Sequence, residues 1–216
     1  MEIKEVASKV KEARESSKKR NFTQTFDCVI NLQNMDLKKP EHKVDVGVVF
    51  SKPVKAGKLK ICAVVDQGVE GAEKVFDRVV YIEELNAMKG DMKKIRTLTH
   101  KFDKFVVLSN HMPAFAQILG RYLGPMNKMP SPKLGMVITS KTPLADLYNK
   151  LQRTVHLQTK KNLVLQVCVG SESDSDEVIA DNIKHVYDTL LHALPAQQNN
   201  LKNINVKLTM GKLVVL

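Results

Sequence analysis

The chain has 216 residues, 43% of them hydrophobic, and its 34 Lys and Arg against 23 Asp and Glu give a formal net charge of +11. This composition excludes an intrinsically disordered chain, which has few apolar residues and a dominant net charge. The sequence contains no run of about 18 apolar residues, so a membrane-spanning helix is not expected. The excess of positive charge favours a polyanionic partner, most commonly nucleic acid.

The cysteines and the first residues indicate a cytoplasmic protein. Cys28, Cys62 and Cys168 lie far apart and form no CxxC pair, a pattern that favours reduced thiols over a metal knuckle. The first twenty residues are charged and lack the apolar segment of a secretory signal.

The N-terminal segment predicts one helix and two half-buried strands. Apolar residues recur at helical spacing over residues 2–18. Over residues 26–32 and 44–50 they alternate with polar or smaller ones, which is the two-residue repeat of a strand with one buried face. The charged stretch between these strands contains Pro40 and is expected to be a loop.

The middle of the chain has a different pattern. Short apolar runs, typical of fully buried strands, alternate with segments predicted to be helical, and this order predicts a parallel sheet covered on both faces. The predicted strands are residues 61–65, 79–82, 105–108 and 136–139. The predicted helices are residues 70–77, 84–97, 111–122 and 143–152.

Half-buried strands return after residue 153. Alternation marks residues 163–169 and 204–208. Between them, Asp174 is predicted to be the N-cap of a long helix that ends at Pro195. Gly211 is expected to turn the chain with a positive φ, so that the last residues return as a strand.

The two ends of the chain therefore share one pattern and the middle has another. The simplest arrangement is one domain built from residues 1–55 and 153–216, with a second domain, residues 56–152, inserted into it. The linkers between them, near residues 52–57 and 150–154, would form a double hinge.

No catalytic or cofactor site is predicted. The histidines lack metal-ligand spacing, no nucleophile elbow or phosphate loop occurs, and Cys28 is expected to be a buried structural thiol. Gly68 and Gly71 follow a buried strand, where a doubly wound sheet binds ligands, but only GxxG remains of the dinucleotide fingerprint. Because Glu70 and Glu73 would also repel a pyrophosphate, we interpret this segment as a strand-to-helix turn.

Two short basic segments are candidates for RNA contact. Residues 18–24, KKRNFTQ, combine three cations that can bind phosphates with an aromatic ring that can stack on a base. A solvated turn after a helix explains them equally well, since cations are favoured at a helix C-terminus. In residues 207–212, KLTMGK, Thr209 is expected to face away from the core, although an ordinary hairpin turn is the simpler interpretation.

A third basic segment, residues 119–133, has the sequence LGRYLGPMNKMPSPK. Its three prolines and two glycines argue against a continuous helix or strand, so this proline-rich segment is predicted to be an ordered basic loop. Long loops in domains with otherwise short connections are often functional.

These motifs together resemble the ribosomal protein L1 family, in its archaeal form, over nearly the whole chain. RNFTQTFDCVINL (residues 20–32) is similar to the family's first RNA-facing strand, and KLTMG (residues 207–211) to its C-terminal Thr-Met-Gly element. LGPMNKMPSPKLG (residues 123–135) is similar to the family's signature loop and is the most specific of the three.

The resemblance implies a fold and a function. The fold is α/β: a split two-layer α+β RNA-binding domain formed by both termini, with an inserted Rossmann-like three-layer α/β domain that holds no cofactor. The implied function is that of a structural constituent of the large ribosomal subunit. Such a protein binds 23S-type rRNA in the mobile stalk, assists release of deacylated tRNA from the E site, and represses translation of its own operon mRNA. We expect a cytoplasmic protein on the ribosome that is monomeric off it.

The resemblance also implies site residues. Phe22, Thr209, Met210 and Gly211 fall on RNA-contacting positions of the family. Neighbouring polar and basic residues are added as RNA contacts: Lys18, Lys19, Arg20, Asn21, Gln24, Lys161, Asn203, Lys207 and Lys212. A secondary RNA contact is expected from four residues of the inserted domain: Gly124, Pro125, Lys128 and Lys133.

Two positions depart from the family pattern. Asn203 stands where the family commonly has Ser, which would alter the geometry of that contact. Met126 follows Gly-Pro where the family has a basic residue or glycine, which removes a possible phosphate contact.

The rival class is an enzyme, namely a nucleotide- or S-adenosylmethionine-dependent RNA-modifying protein that uses the inserted domain. The missing glycine fingerprint and the absence of a catalytic constellation count against it. A second alternative, a repressor acting mainly on mRNA, is not distinguished from a ribosomal role by the sequence.

Overall fold

The structure is a computed structural model that describes residues 2–39, 42–53, 58–69, 71–139, 142–159 and 162–216. It is a mixed α/β protein that divides into two compact units. The first unit combines residues 1–57 and 153–216, and the second comprises residues 58–152. Lys161, predicted to contact RNA, lies outside the described residues, as does part of the predicted linker at residues 52–57.

The first unit is built around a four-stranded antiparallel sheet with the strand order β10-β9-β1-β8. A separate antiparallel pair joins β2 to β7. The strands of this unit are β1 Thr25–Leu32, β2 Asp45–Val49, β7 Thr154–Gln158, β8 Val164–Ser171, β9 Leu201–Leu208 and β10 Val214–Val215.

Two helices, α1 (Ile3–Glu15) and α7 (Asp176–Ala193), pack on one face of the four-stranded sheet. In β1 every second residue is buried, as the alternation predicts, and the buried set faces the helices. α1 contributes Val6, Val10 and Ala13 to this core, at the three- and four-residue spacing of one helix face. The result is a two-layer unit with one side of the sheet covered.

Arg14 ties α1 to the acidic segment that precedes α7. Its Nε donates to Asp176 Oδ1 at 2.9 Å, and its two Nη atoms donate to the carbonyl oxygens of Glu172 and Asp174. The guanidinium also lies over the Phe26 ring, 5.1 Å from the ring centre. The positive charge of Arg14 thereby offsets part of the negative charge of the acidic segment at the start of α7.

The N-cap predicted for α7 was one residue too early. The residue at the N-cap is Ser175, whose side chain makes no capping hydrogen bond. Asp174 Oδ2 accepts the Ser171 N–H at 2.8 Å and so closes the turn between β8 and the helix.

The second unit contains a four-stranded parallel sheet with the order β4-β3-β5-β6. Apolar clusters lie on both of its faces, which agrees with the continuous apolar runs of its strands. Its strands are β3 Ile61–Val65, β4 Arg78–Tyr81, β5 Lys104–Leu108 and β6 Val137–Ile138. Its helices are α2 Ala72–Val75, α3 Ile82–Ala87, α4 Met92–Lys101, α5 Met112–Met126 and α6 Leu144–Arg153.

The single helix predicted over residues 84–97 is two helices, α3 and α4. Gly90 has a φ of 99°, which a continuing helix does not allow. Asp91 then caps α4, its side chain accepting the N–H groups of Lys93 and Lys94 at 3.1 Å.

The loop predicted for the proline-rich segment was wrong in its first half, because α5 continues to Met126. Pro125 occupies the last turn, where the missing N–H removes only one helical hydrogen bond. Gly124, which has no Cβ, relieves the clash that a residue before proline meets in helical conformation. Asn127 ends the helix with a φ of 54°.

None of the described helices is long and apolar enough to cross a membrane.

Candidate RNA interface

The sheet face opposite α1 and α7 is mainly polar, and we call it the polar face. The strand register sets Asp27 beside Lys207 and Asn31 beside Asn203. Alternation along the strands assigns these residues to the polar face: Thr25, Asp27, Val29, Asn31, Gln166, Cys168, Asn203, Asn205 and Lys207.

Asn203, one of the departures from the family pattern, has a partner within the protein. The Asn31 side-chain amide donates to Asn203 Oδ1 across the two strands. A ligand at this position would therefore meet a pair of hydrogen-bonded asparagines, with the Asn203 amide nitrogen and the second N–H of the Asn31 amide as the remaining donors.

A tight turn follows β9 and carries the Thr-Met-Gly sequence. The Gly211 N–H donates to the Leu208 carbonyl at 2.8 Å, which closes the turn. Thr209 anchors it to β1, since its N–H donates to the Thr25 carbonyl at 3.0 Å and its Oγ1 accepts the Thr25 N–H at 3.1 Å. Met210 stands at the tip with 61% of its surface exposed.

Gln24 supports this turn from below. It was predicted to contact RNA, but it is only 1% exposed. Its Oε1 accepts the Met210 N–H at 3.2 Å, and its Nε2 donates to the Lys18 carbonyl at 3.3 Å. Its backbone pairs with Glu172, whose N–H donates to the Gln24 carbonyl at 2.8 Å. Gln24 thus holds the basic segment and the Thr-Met-Gly turn in one arrangement.

Gly211 is required for a reason different from the one predicted. It does not have the positive φ expected of it. Instead, a Cβ at this position would lie 2.3 Å from Ser17 Oγ and 3.3 Å from the Leu208 backbone nitrogen. The close approach is made within the protein by Ser17, two residues after α1, and by Leu208 at the end of β9.

Most of the residues predicted to contact RNA in the two segments that Gln24 joins are exposed. Phe22 is 53% exposed, and the other exposed residues predicted to contact RNA are Lys18, Lys19, Arg20, Asn21, Thr209 and Lys212. An exposed aromatic ring, an exposed thioether and several cations can together pack on bases and bind phosphates.

The four residues predicted as a secondary contact in the second unit differ from this arrangement. Gly124 and Pro125 are exposed in the last turn of α5. The Lys128 ammonium donates to the carbonyl oxygens of Thr99 at 2.9 Å and Phe102 at 2.7 Å, where it caps the end of α4. Lys133 is exposed in a short 3₁₀ turn.

The remaining candidates for other chemistry are metal-ligating clusters, the buried thiols and the GxxG segment. No group of three or more His, Cys, Asp or Glu side chains there could hold a metal ion. Burial raises the pKa of the Cys28 and Cys62 thiols to about 12, so both stay protonated and structural. Gly71, with a φ of 81°, leads directly into α2, which agrees with our interpretation of the GxxG as a strand-to-helix turn.

Comparison with known proteins places the chain in a family. Residues 11–212 match the family described as Ribosomal protein L1p/L10e. The large ribosomal subunit protein uL1 of Thermococcus kodakarensis is 37% identical over 207 residues, which cover 95% of this chain and 93% of that protein. The protein of the same name from Pyrococcus horikoshii is 36% identical over 97% of this chain and 94% of its own length. The one from Methanobrevibacter smithii is 34% identical over 97% of both chains. These relatives are archaeal, as the resemblance predicted, and the chain belongs to the Ribosomal protein L1p/L10e family.

Proposed function

We propose that this protein is a structural constituent of the large ribosomal subunit that binds large-subunit rRNA through the first unit. The observation that carries the proposal is buried Gln24, which holds the turn of exposed Met210 and the backbone of Lys18 together, in a segment that also exposes Phe22 and the cations of residues 18–20. The relatives named large ribosomal subunit protein support the assignment to that subunit. The protein would act in the cytoplasm, as part of the ribosome.

The enzyme alternative is rejected. The family is one of structural, non-enzymatic ribosomal proteins, and the chain matches it over residues 11–212.

The finer expectations belong to the same proposal. The first unit would be a discontinuous RNA-binding domain and the second an inserted Rossmann-like domain, a division supported by the two compact units. Assistance in release of tRNA from the E site, repression of the protein's own operon mRNA, and a monomeric state off the ribosome follow from the family resemblance.

The test is ultraviolet crosslinking of the protein in cells, followed by sequencing of the attached RNA and mass spectrometry of the attached peptides. We expect reads concentrated on one segment of large-subunit rRNA, with a smaller peak on one mRNA, and crosslinked peptides from residues 18–24 and 207–212. Reads spread evenly over cellular RNA would instead identify a general polyanion binder.

A matched pair of methionines sharpens the test. Met210 and Met92 are equally exposed, at 61% and 60%, but Met92 lies at the start of α4 in the second unit. Met210→Ser should weaken binding of the crosslinked rRNA segment about tenfold, as expected when a stacking or packing contact of 1–3 kcal/mol is lost. Met92→Ser should leave the affinity unchanged. Equal effects of the two substitutions would contradict the proposed interface.

A further inference from the structure

The second unit contains a groove between α3 and α4, which we call the α3–α4 groove. Its volume is about 530 Å³, within the range of about 300–1,000 Å³ that is typical of binding pockets. All of its lining residues lie between Arg78, the first residue of β4, and Phe102. None of the three family motifs therefore contributes to it, and the family resemblance does not explain it.

The turn at Gly90 creates this groove. It separates α3 from α4, and both helices pack on α5. Glu84, Ala87 and Met88 line the groove at the three- and four-residue spacing of one face of α3. The lining residues of α4 recur in the same way. A single continuous helix over this stretch would leave no space between its two halves.

The floor of the α3–α4 groove is apolar. Met88, Leu98 and Phe102 line it and belong to the buried cluster on this side of the parallel sheet. Because these side chains are already packed in the core, the floor is formed before any ligand binds. Such a surface can bury an apolar side chain of a partner.

The rim of the groove is cationic. The Arg78 guanidinium is paired with the Glu84 carboxylate at 2.7 Å, and Glu84 is the one acidic residue of the lining. Lys93 and Lys101 also line the groove and are exposed, and neither pairs with a carboxylate within the described residues. The Lys101 ammonium lies 6.0 Å from the centre of the Phe102 ring, at the edge of the floor.

The start of α4 is not itself available to an anion. The Asp91 side chain accepts the N–H groups of Lys93 and Lys94, and Asp91 Oδ2 lies 3.3 Å from the Lys94 ammonium. The backbone donors that bind a phosphate at a helix N-terminus are therefore occupied here. The free positive charge of the groove belongs to lysine side chains that stand beside an apolar floor.

We infer that the α3–α4 groove binds an acidic segment of a partner protein. One large apolar side chain of that segment packs on the floor, and carboxylates on either side of it pair with Lys93 and Lys101. The argument is charge complementarity around an apolar anchor, the combination by which grooves recognise short peptide segments.

The spacing of the two lysines indicates the spacing of the carboxylates. Lys93 and Lys101 are separated by about 12 Å along the axis of α4. In an extended segment, residues i and i+4 are about 13 Å apart, and residue i+2 points to the same side. A segment of the form Glu-x-Phe-x-Glu therefore places its carboxylates at the two lysines and its ring between them.

RNA is the competing occupant, because lysines also bind phosphates. The lining favours the peptide. Its one aromatic ring, that of Phe102, is buried and offers no exposed face on which a base could stack. The apolar floor also offers a base edge no hydrogen-bond donors or acceptors.

The experiment uses the full chain with ¹³C-labelled methionine methyl groups. The probe is the acetylated and amidated peptide Glu-Ser-Phe-Ser-Glu. The Met88 methyl signal, assigned with Met88→Leu, reports on the floor of the groove, and that of exposed Met210 reports on binding to the first unit. We expect the peptide to shift the Met88 signal to saturation and to leave the Met210 signal unchanged. The peptide Glu-Ser-Ser-Ser-Glu should bind at least about tenfold more weakly, because it lacks the apolar anchor.

A charge reversal tests the rim. The double variant Lys93→Glu with Lys101→Glu should no longer bind the acidic peptide and should bind Lys-Ser-Phe-Ser-Lys instead. A gain of binding cannot result from misfolding. The matched control is Lys74→Glu with Arg121→Glu, which changes the net charge equally at exposed positions of α2 and α5 outside the groove. This control should bind the acidic peptide like the parent chain.

Three outcomes would overturn the inference: an unmoved Met88 signal, equal binding of the peptides with and without Phe, or a preference for the acidic peptide that survives the double reversal. An oligouridylate that shifts the Met88 signal and displaces the peptide would make the groove a second RNA contact instead. The proposed rRNA function is tested separately, by crosslinks in residues 18–24 and 207–212 of the first unit. Failure of either proposal therefore leaves the other standing.

Discussion

The Thr-Met-Gly turn and the proline-rich segment both resemble family motifs, yet the structure uses them differently. In the turn, the backbone is held from inside by Gln24 and Thr25, and Met210 is left exposed. In the proline-rich segment, the first half extends α5, and the Lys128 ammonium donates hydrogen bonds to carbonyl oxygens at the end of α4. Basic and glycine-containing motifs thus have two roles, and the hydrogen-bond partners of their side chains distinguish them.

The largest expected effect comes from the glycine of the turn. Gly211→Val should lower the free energy of unfolding by about 3 kcal/mol, the upper end of the cost of overpacking, because its Cβ meets Ser17 and Leu208. It should also abolish RNA binding. Gly120→Ala, in the proline-rich segment, meets nothing within 4 Å on a helix and should stabilise by roughly 0.5–1 kcal/mol. Chemical denaturation measures both values.

A companion substitution identifies the cause. Gly211→Ala should be destabilising alone and partly rescued by Ser17→Ala, which removes the nearest atom of the clash. Rescue would assign the glycine to packing against Ser17. If Gly211→Ala is stable but does not bind RNA, the close approach that matters is that of the RNA.

The support beneath the turn gives the second effect. Gln24→Leu leaves the Met210 N–H and the Lys18 carbonyl without their partner and should cost about 2 kcal/mol of stability. Hydrogen exchange at the Met210 amide should accelerate, and RNA affinity should fall although residue 24 is buried. The exposed Gln117 of α5 provides the control, since Gln117→Leu should change none of these quantities. Unchanged exchange at Met210 would rule out the supporting role.

The proline-rich segment should respond in the opposite way. Lys128→Met removes two charge-assisted hydrogen bonds at the end of α4 and should cost about 1 kcal/mol of stability. Because its ammonium is occupied within the protein, we expect rRNA affinity and its salt dependence to stay unchanged. Lys89→Met, at an exposed site of the same unit, is the matched control for loss of one charge. A salt slope that falls by about one unit in Lys128→Met alone would restore Lys128 as a phosphate contact.

Periodicity predicted most of the secondary structure, and the errors have local causes. Alternation located β1, and continuous apolar runs located the parallel strands. The sequence did not show that Gly90 breaks a helix while Gly124 and Pro125 continue one, because this depends on backbone angles within a turn. Sequence propensity therefore predicted one continuous helix where α3 and α4 are separate, and it ended α5 too early.

The segments that form the candidate site were predictable from the sequence. Which of their residues are exposed and which are buried supports was not. The motif located Phe22 and Met210, and the structure exposes both. Gln24 belongs to the same motif, but its burial depends on Glu172 and Met210, which are distant in sequence.

The smallest effect concerns Asp27 in the free protein. Because burial raises the pKa of this carboxyl in the folded state, the ionised form favours unfolding, and stability is lower above the raised pKa than below the unfolded one. Asp27→Asn should therefore raise the melting temperature slightly at pH 7. The gain should disappear as the pH falls through the two pKa values, since the parent carboxyl is then protonated in both states. Asp188→Asn, at an exposed position of α7, is the control for the loss of one negative charge. A loss at pH 7 would show that the carboxylate is stabilised in the free protein, and a gain that persists in acid would show that the effect does not come from the charge of the carboxylate. A small gain at pH 7 would mean that the Asp27 carboxylate lowers stability, unlike the Lys128 ammonium, which is expected to raise it.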